Sequence, residues 1–265
     1  MIIISARQNF WDNNNISPQD EIREVTLPQI TAEQALTEGE FLAAIRGKKV
    51  LLLVHGYNNE KYDVLRAYEI VQAKVHATLP DHYDLVIGYS WPGGDDPLDY
   101  FAAKRRASAI APRFGMWLPK IKQVVAKLDT MTHSMGTRLM LSALQLDGTI
   151  KIDNAFNMAA AVDNECLELF EKYHEASKHC QKLYVFHSKY DNVLGIGYRA
   201  AEWDRALGFS GPEDVANIVE HCPHVKVANC KNVIKEHGAY KTADRVYGYI
   251  AGELSGSETP QFLTL

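Results

Sequence analysis

Leu128-Asp129-Thr130-Met131-Thr132-His133-Ser134-Met135-Gly136 is the stretch on which the fold turns. Leu128 to Thr132 reads as a short strand, and Met135, Leu139, Ser142 and Leu146 then fall on one face of a helix. Ser134 sits at the junction. A chain that passes from strand to helix this sharply keeps small residues around the serine, and Gly136 fits. Thr132 stands where a glycine is usual, which departs from the strict pattern. By itself the pentapeptide reads equally well as a reactive serine or as a serine cap at an ordinary turn.

Outward from this stretch, strands and helices alternate. Val50 to Val54 is a continuous apolar run, the mark of a strand buried on both faces. Val64, Tyr68, Val71 and Val75 recur at helical spacing until Pro80. Leu85 to Tyr89 is a second strand, ended by the turn Trp91-Pro92-Gly93-Gly94. Asp96 before Pro97 has the form of a helix cap, opening a helix over 98–127 that is interrupted near Pro112 and Pro119. Ile152 to Met158, Leu183 to Phe186 and Val225 to Ala228 are further strands, the last of these closing the series. Cys166, Phe170 and Tyr173 predict a helix, as do Ala243, Val246, Ile250 and Leu254. Thr31 and Gln34 have capping-box spacing ahead of Leu36, Phe41, Leu42 and Ile45. Residues 8–20 read as a polar surface loop and 255–265 as a loose tail. The alternation predicts an α/β fold, a mostly parallel sheet with helices on both faces, in a single domain over 1–265. Sites in such sheets gather at the C-terminal ends of strands.

Val54-His55-Gly56-Tyr57-Asn58 follows the first buried strand, where a glycine lets backbone approach a substrate closely. With Ser134 in its turn, this resembles the α/β-hydrolase superfamily. His55-Gly56-Tyr57-Asn58 together with Gly88-Tyr89-Ser90-Trp91-Pro92 is similar to an uncharacterised branch of intracellular hydrolase-like proteins, over roughly residues 48–250. The resemblance implies a triad in the order serine, acid, histidine. Ser134 takes the place of the nucleophile. Asp191, in His187-Ser188-Lys189-Tyr190-Asp191, takes that of the acid, and His237, in Glu236-His237-Gly238, that of the base. It also implies that the N–H groups of Tyr57 and Met135 form the oxyanion hole.

Several residues compete for these roles. Asp163, after the strand 152–158, is the alternative acid. His133 is expected to point away from the site, His55 to support the oxyanion loop, and His187 to end its strand. Asp95, Asp96 and Asp99 read as capping groups rather than a cation site. Tyr100, Phe101, Phe114, Met116 and Trp117 place an apolar segment at 91–119, either a partial cover with an acyl pocket or a packed helix flank.

A formal net charge of -5 excludes the basic footprint of a nucleic-acid binder, and Lys104-Arg105-Arg106 reads as a solvated helix face. The four cysteines form no CxxC pair, and Cys222, His224 and Cys230 fit no common zinc spacing. No cofactor or metal is expected. Met1-Ile2-Ile3-Ile4 is too short for a signal peptide, and no apolar run has the length of a membrane span. The expectation is a cytoplasmic protein acting on a small-molecule acyl substrate, without nucleic-acid or membrane partners. A carboxylesterase is the first choice. A thioesterase or amidase, or a catalytically weak ligand-binding protein on the same scaffold, are the alternatives.

Overall fold

The computed structural model describes residues 1–27, 32–96, 98–146 and 148–265. The strands are β1 (Ile2–Arg7), β2 (Ile16–Val25), β3 (Glu33–Leu36), β4 (Lys49–Val54), β5 (Leu85–Ser90), β6 (Lys127–His133), β7 (Ile152–Met158), β8 (Cys180–His187), β9 (Val225–Asn229) and β10 (Phe262–Thr264). The main helices are α1 (Glu38–Ile45), α2 (Lys61–Thr78), α3 (Tyr100–Val124) and α4 (Met135–Leu144). Shorter ones follow: α5 (His174–Ser177), α6 (Arg199–Glu202), α7 (Leu207–Ser210) and α8 (Val215–His221). The longer α9 (Asp244–Leu254) comes last.

The described strands form one sheet in the order β10-β9-β8-β7-β6-β4-β5-β1-β2-β3. From β10 through β1 every pairing is parallel, and β2 and β3 add an antiparallel edge. Alternation along β4 shows why its run is apolar throughout. Val50, Leu52 and Val54 face a cluster with Phe41 of α1, Phe114 of α3 and Leu139 of α4. Leu51 and Leu53 face the opposite cluster, with Val71 of α2 and Ile250 of α9. Parallel strands need helical crossovers, and crossovers bury both faces.

Several sequence expectations change here. Met1 to Arg7 is not merely a short apolar start: Ile2–Arg7 is a fully buried strand between β5 and β2. The expected loop over 8–20 ends in β2, which lies between β1 and β3; its Asp20 side chain is buried against Arg113 and Trp117. The first helix starts later than its predicted cap. Gln34 lies in β3, and Thr37 and Glu40 form the capping box instead; Thr31 lies outside the described residues. Pro97 does too, and Asp96 accepts from the Leu98 N–H while α3 begins at Tyr100. α3 runs unbroken through Pro112 and Pro119. Pro112 is exposed, so the carbonyl its ring deprives of a partner, on exposed Ser108, meets water. The stretch around Cys166, Phe170 and Tyr173 is a chain of turns, with Phe170 at φ +72° and exposed; helix is confined to α5. The supposed tail carries β10, which pairs with β9, so Val225 to Ala228 does not close the sheet.

Candidate active site

Ser134 lies where β6 becomes α4, at φ +54° and ψ −124°. A side-chain-bearing residue in this region is strained by roughly 1–3 kcal/mol, so its surroundings must hold it there. They do so by backbone bonds: Ser134 N–H donates to Met158, at the end of β7, at 2.9 Å, and its carbonyl accepts from Thr137 at 3.0 Å and Ala161 at 3.2 Å. Thr132, where glycine is usual, fits because it extends along β6. Its hydroxyl lies 2.7 Å from that of Thr137 and donates to Asn157 Oδ1 at 2.9 Å.

Asp191 follows β8 and is fully buried. Its Oδ2 lies 2.7 Å from His237 Nδ1, and its Oδ1 accepts from the Leu194 N–H at 3.2 Å. The carboxylate therefore fixes the proton on Nδ1 and leaves Nε2 free to accept another. Asp163, the alternative acid, is engaged elsewhere: it accepts from Tyr198 Oη at 2.6 Å.

Ser134 and His237 line one cavity of about 440 Å³, together with Tyr57 and Met135. The loop 55–59 behind it is tied on several sides. His55 Nδ1 lies 2.8 Å from the Gly56 carbonyl and donates to it, since Nε2 accepts from the Trp91 N–H at 3.1 Å and faces Arg7 Nη2 at 3.3 Å. Burial, reinforced by Arg7, pushes the His55 imidazole well below its usual range, so it is neutral. Trp91 Nε1 donates to the His55 carbonyl at 2.8 Å, and Asn59 Nδ2 to the Tyr57 carbonyl at 2.7 Å.

Arg7 is the member the sequence reading missed. Fully buried, it reaches Asn59 O and Asn13 Oδ1, both at 2.9 Å, besides His55. The ladder to β2 shifts register between Ser5 and Arg7, and a bulge of this kind re-aims the residue beside it. Burial lowers this guanidinium to about 10, still charged at neutral pH. A lone arginine ending an apolar run was the available signal.

His133 was expected to point away from the site. It lines the cavity instead, its Nε2 is 2.9 Å from the His237 carbonyl, and the two rings lie 4.6 Å apart. Burial, then the neighbouring His237, holds it neutral, so it braces the His237 loop. His187 ends β8, with Nδ1 3.4 Å from the Phe209 carbonyl.

Of the segment 91–119, Tyr100 lines the cavity; Phe114 and Trp117 are packed into the core, while Phe101 and Met116 are exposed. The cavity's roof comes from elsewhere, the π-type turn Val193–Tyr198. Glu202, just beyond it, ties this roof to α3 through Tyr100 Oη at 2.8 Å and Lys104 Nζ at 2.6 Å. Lys104 thus belongs to a packed contact rather than a solvated face, and Arg106 likewise holds the Pro92 carbonyl at 2.8 Å. Asp95, Asp96 and Asp99 turn to Asn14, Leu98 N–H and Arg106 respectively.

Among solved structures, esterase PE8 matches with a TM-score of 0.48 at 12% identity, over 80% of this chain and 94% of that one. MenH from S. aureus matches with 0.46 at 14%, over 80% and 95%. The Pyrococcus furiosus esterase Pf2001 matches with 0.41 at 11%, over 78% and 80%. No curated protein matches the sequence. Among the described residues no helix is long and apolar enough to cross a membrane. The family described as alpha/beta hydrolase of unknown function (DUF900) matches residues 31–221, a span that includes Ser134 and Asp191 and ends before His237. That span is well over half of the chain, and the chain belongs to this family of α/β hydrolases.

Proposed function

We propose that this hydrolase is a serine enzyme that cleaves an ester or related acyl bond through an acyl-enzyme, with carboxylesterase chemistry as the first choice. The observation that carries the reading is the 2.7 Å pair between Asp191 and His237, set on the same cavity as the strained Ser134. In this mechanism His237 Nε2 takes the Ser134 hydroxyl proton as Oγ attacks the substrate carbonyl carbon. The carbonyl π pair moves onto oxygen, which accepts hydrogen bonds from the N–H groups of Tyr57 and Met135. The tetrahedral adduct collapses, the C–O bond to the leaving group breaks, and His237 gives its proton to the departing oxygen. Water, deprotonated by the same imidazole, then attacks the acyl carbon; the second adduct collapses with cleavage of the bond to Ser134 Oγ, which takes the proton back from His237 as the acid leaves. Met135 supplies its amide at the start of α4, where N–H groups have no partner within the helix.

The rival reading, a binding protein on the same scaffold, rests on the fact that a fold does not dictate a function, and a turn distorted by Thr132 would favour it slightly. With its hydroxyl held by Thr137 and Asn157, Thr132 gives that reading no such support. A fluorophosphonate probe tests the proposal. Wild type is expected to be labelled at Ser134, Ser134→Ala not at all, and His237→Ala at least about 10²-fold more slowly. Wild-type protein that melts cooperatively yet takes no label would overturn it.

A further inference from the structure

The cavity at Ser134 has two unlike sides. Ala161, Val193, Leu194 and Tyr198 give it an apolar wall, while Asn58, Asn59, Gly238 and Lys241 give it a polar floor. Lys241 ends the short 3-10 turn Ala239–Lys241, directly after the His237 loop, and is half-buried. Among the described residues no carboxylate forms an ion pair with its ammonium; Asp63 acts on it only through space, and Arg66 opposes that effect. Asp63 already accepts from the Glu60 N–H at 3.2 Å.

Two observations show where this cation acts. Lys241 lines the same cavity as Ser134 and His237. The same Asn58, Asn59, Gly238 and Lys241 also line an adjoining groove of about 440 Å³, to which α2 brings Arg66 and, one turn before it, Asp63. The polar floor therefore continues past Lys241 to a second cation, with one carboxylate beside it. A partly desolvated ammonium that no carboxylate contacts favours an anion brought by a ligand. Burial shifts this ammonium below the ordinary lysine range, which agrees with that strain. Direction follows from the chemistry: the group that receives the proton from His237 lies beside the His237 loop, and Lys241 closes the turn that follows it and lines the same cavity.

We propose that Lys241 anchors an anionic leaving group, a carboxylate or phosphate carried on the alcohol side of the substrate, with Arg66 extending the subsite outward. The inference rests on the serine-hydrolase reading of Ser134 and His237. It names the substrate class as acyl esters of acidic alcohols or phenols.

The experiment uses three acetyl esters that differ in the leaving group: 4-acetoxybenzoate, 4-acetoxyphenylphosphonate and neutral 4-acetoxybenzamide. The readout is the ratio of kcat/KM for each anionic ester to that for the neutral one, which cancels any general loss of activity. Lys241→Met is expected to lower this ratio about tenfold or more, and Lys241→Arg to hold it near the wild-type value. The ester with the larger drop identifies carboxylate or phosphate as the preferred anion. A ratio unchanged in Lys241→Met overturns the proposal. So does a drop confined to the hemisuccinate ester of 4-nitrophenol, whose anion is on the acyl side. Binding of 4-hydroxybenzoate and 4-hydroxyphenylphosphonate to Ser134→Ala, followed by calorimetry, reads the subsite without catalysis. Binding that Lys241→Met abolishes supports the subsite even where Ser134 takes no fluorophosphonate label. No binding of either product, with Ser134 labelled, overturns the subsite and leaves the serine reading standing.

Discussion

Replacing Gly136 with alanine tests whether the turn at Ser134 is as tightly built as the geometry indicates. Gly136 lies under the end of β4, and an added Cβ would sit 2.6 Å from the carbonyl oxygens of both Val54 and His55. Both are backbone atoms, and that of His55 is pinned by Trp91 Nε1. Reaching the 3.4 Å of an ordinary contact requires a displacement of about 0.8 Å. Since the obstructing atoms begin the loop 55–59, the displacement separates the Met135 amide from that of Tyr57, the two donors of the proposed oxyanion hole. A misplacement of about 1 Å can lower a rate about 10²-fold. Overpacking of this kind costs about 1–3 kcal/mol, and each kcal/mol lowers Tm by roughly 2–4 °C in a chain of this size. Gly136→Ala is therefore expected to lose about 10²-fold in kcat/KM for a simple acetyl ester, with a cooperative melt a few degrees below wild type. Steady-state kinetics and a thermal scan on the same sample measure both. A rate within twofold of wild type would refute the reasoning, because the turn would then have room that the geometry denies it.

Two more outcomes follow from the site. Asp191→Asn, which keeps the shape but releases the Nδ1 proton of His237, is expected to lower kcat by about 10³–10⁴-fold, whereas Asp163→Asn falls by less than about tenfold; the reverse order in ester turnover would transfer the acid's role to Asp163. Burial pushes the His187 imidazole down to about 4 from its ordinary 6.5, so it is neutral in the fold. Its contribution is complete above pH 6.5 and is lost as pH falls toward 4, because the unfolded chain takes up the proton first. The loss amounts to about 3 kcal/mol. His187→Asn is accordingly expected to lose less stability than wild type between pH 6.5 and 4 in urea denaturation, and parallel curves for the two proteins would rule this out.

The parts of the fold that were legible are those in which one local signal dominates. β4 and β5 are apolar runs long enough to announce strands buried on both faces, and the residues after β6 and β8 stand at strand ends. Ser134, Asp191 and His237 could be picked out in order because each follows a strand, and the fold pairs Asp191 with His237 and sets His237 on the cavity of Ser134. What stayed hidden depends on tertiary partners. β1 is short and ends in a charged residue, and only the buried acceptors around Arg7 make that charge tolerable inside. The prolines of α3 argue for breaks, yet its apolar face, with Ala107, Ala111, Phe114 and Leu118, packs well enough to carry the helix through. The roof over the cavity is a π-type turn without a helical period, held by Glu202 through Tyr100 and Lys104, and no spacing in 193–202 predicts those distant partners. Lys241 likewise reads as one surface lysine among many until the turn after His237 brings it to the cavity.

The bracing of the loop 55–59 by Arg7 has a consequence for how the molecule is made. Arg7 leaves the ribosome well before Leu85–Ser90, the parallel neighbour of β1, has been synthesised. His237 emerges only after most of the sheet exists, and its acid partner precedes it by 46 residues. Arg7, the serine turn and the imidazole are thus made far apart in time, and they meet only when pairings of long sequence separation have closed. Such pairings form slowly, because loop closure precedes the contacts that reward it. A nascent chain therefore carries Ser134 without His237 until 103 further residues are added, and on the proposed mechanism it stays chemically silent until the sheet is complete.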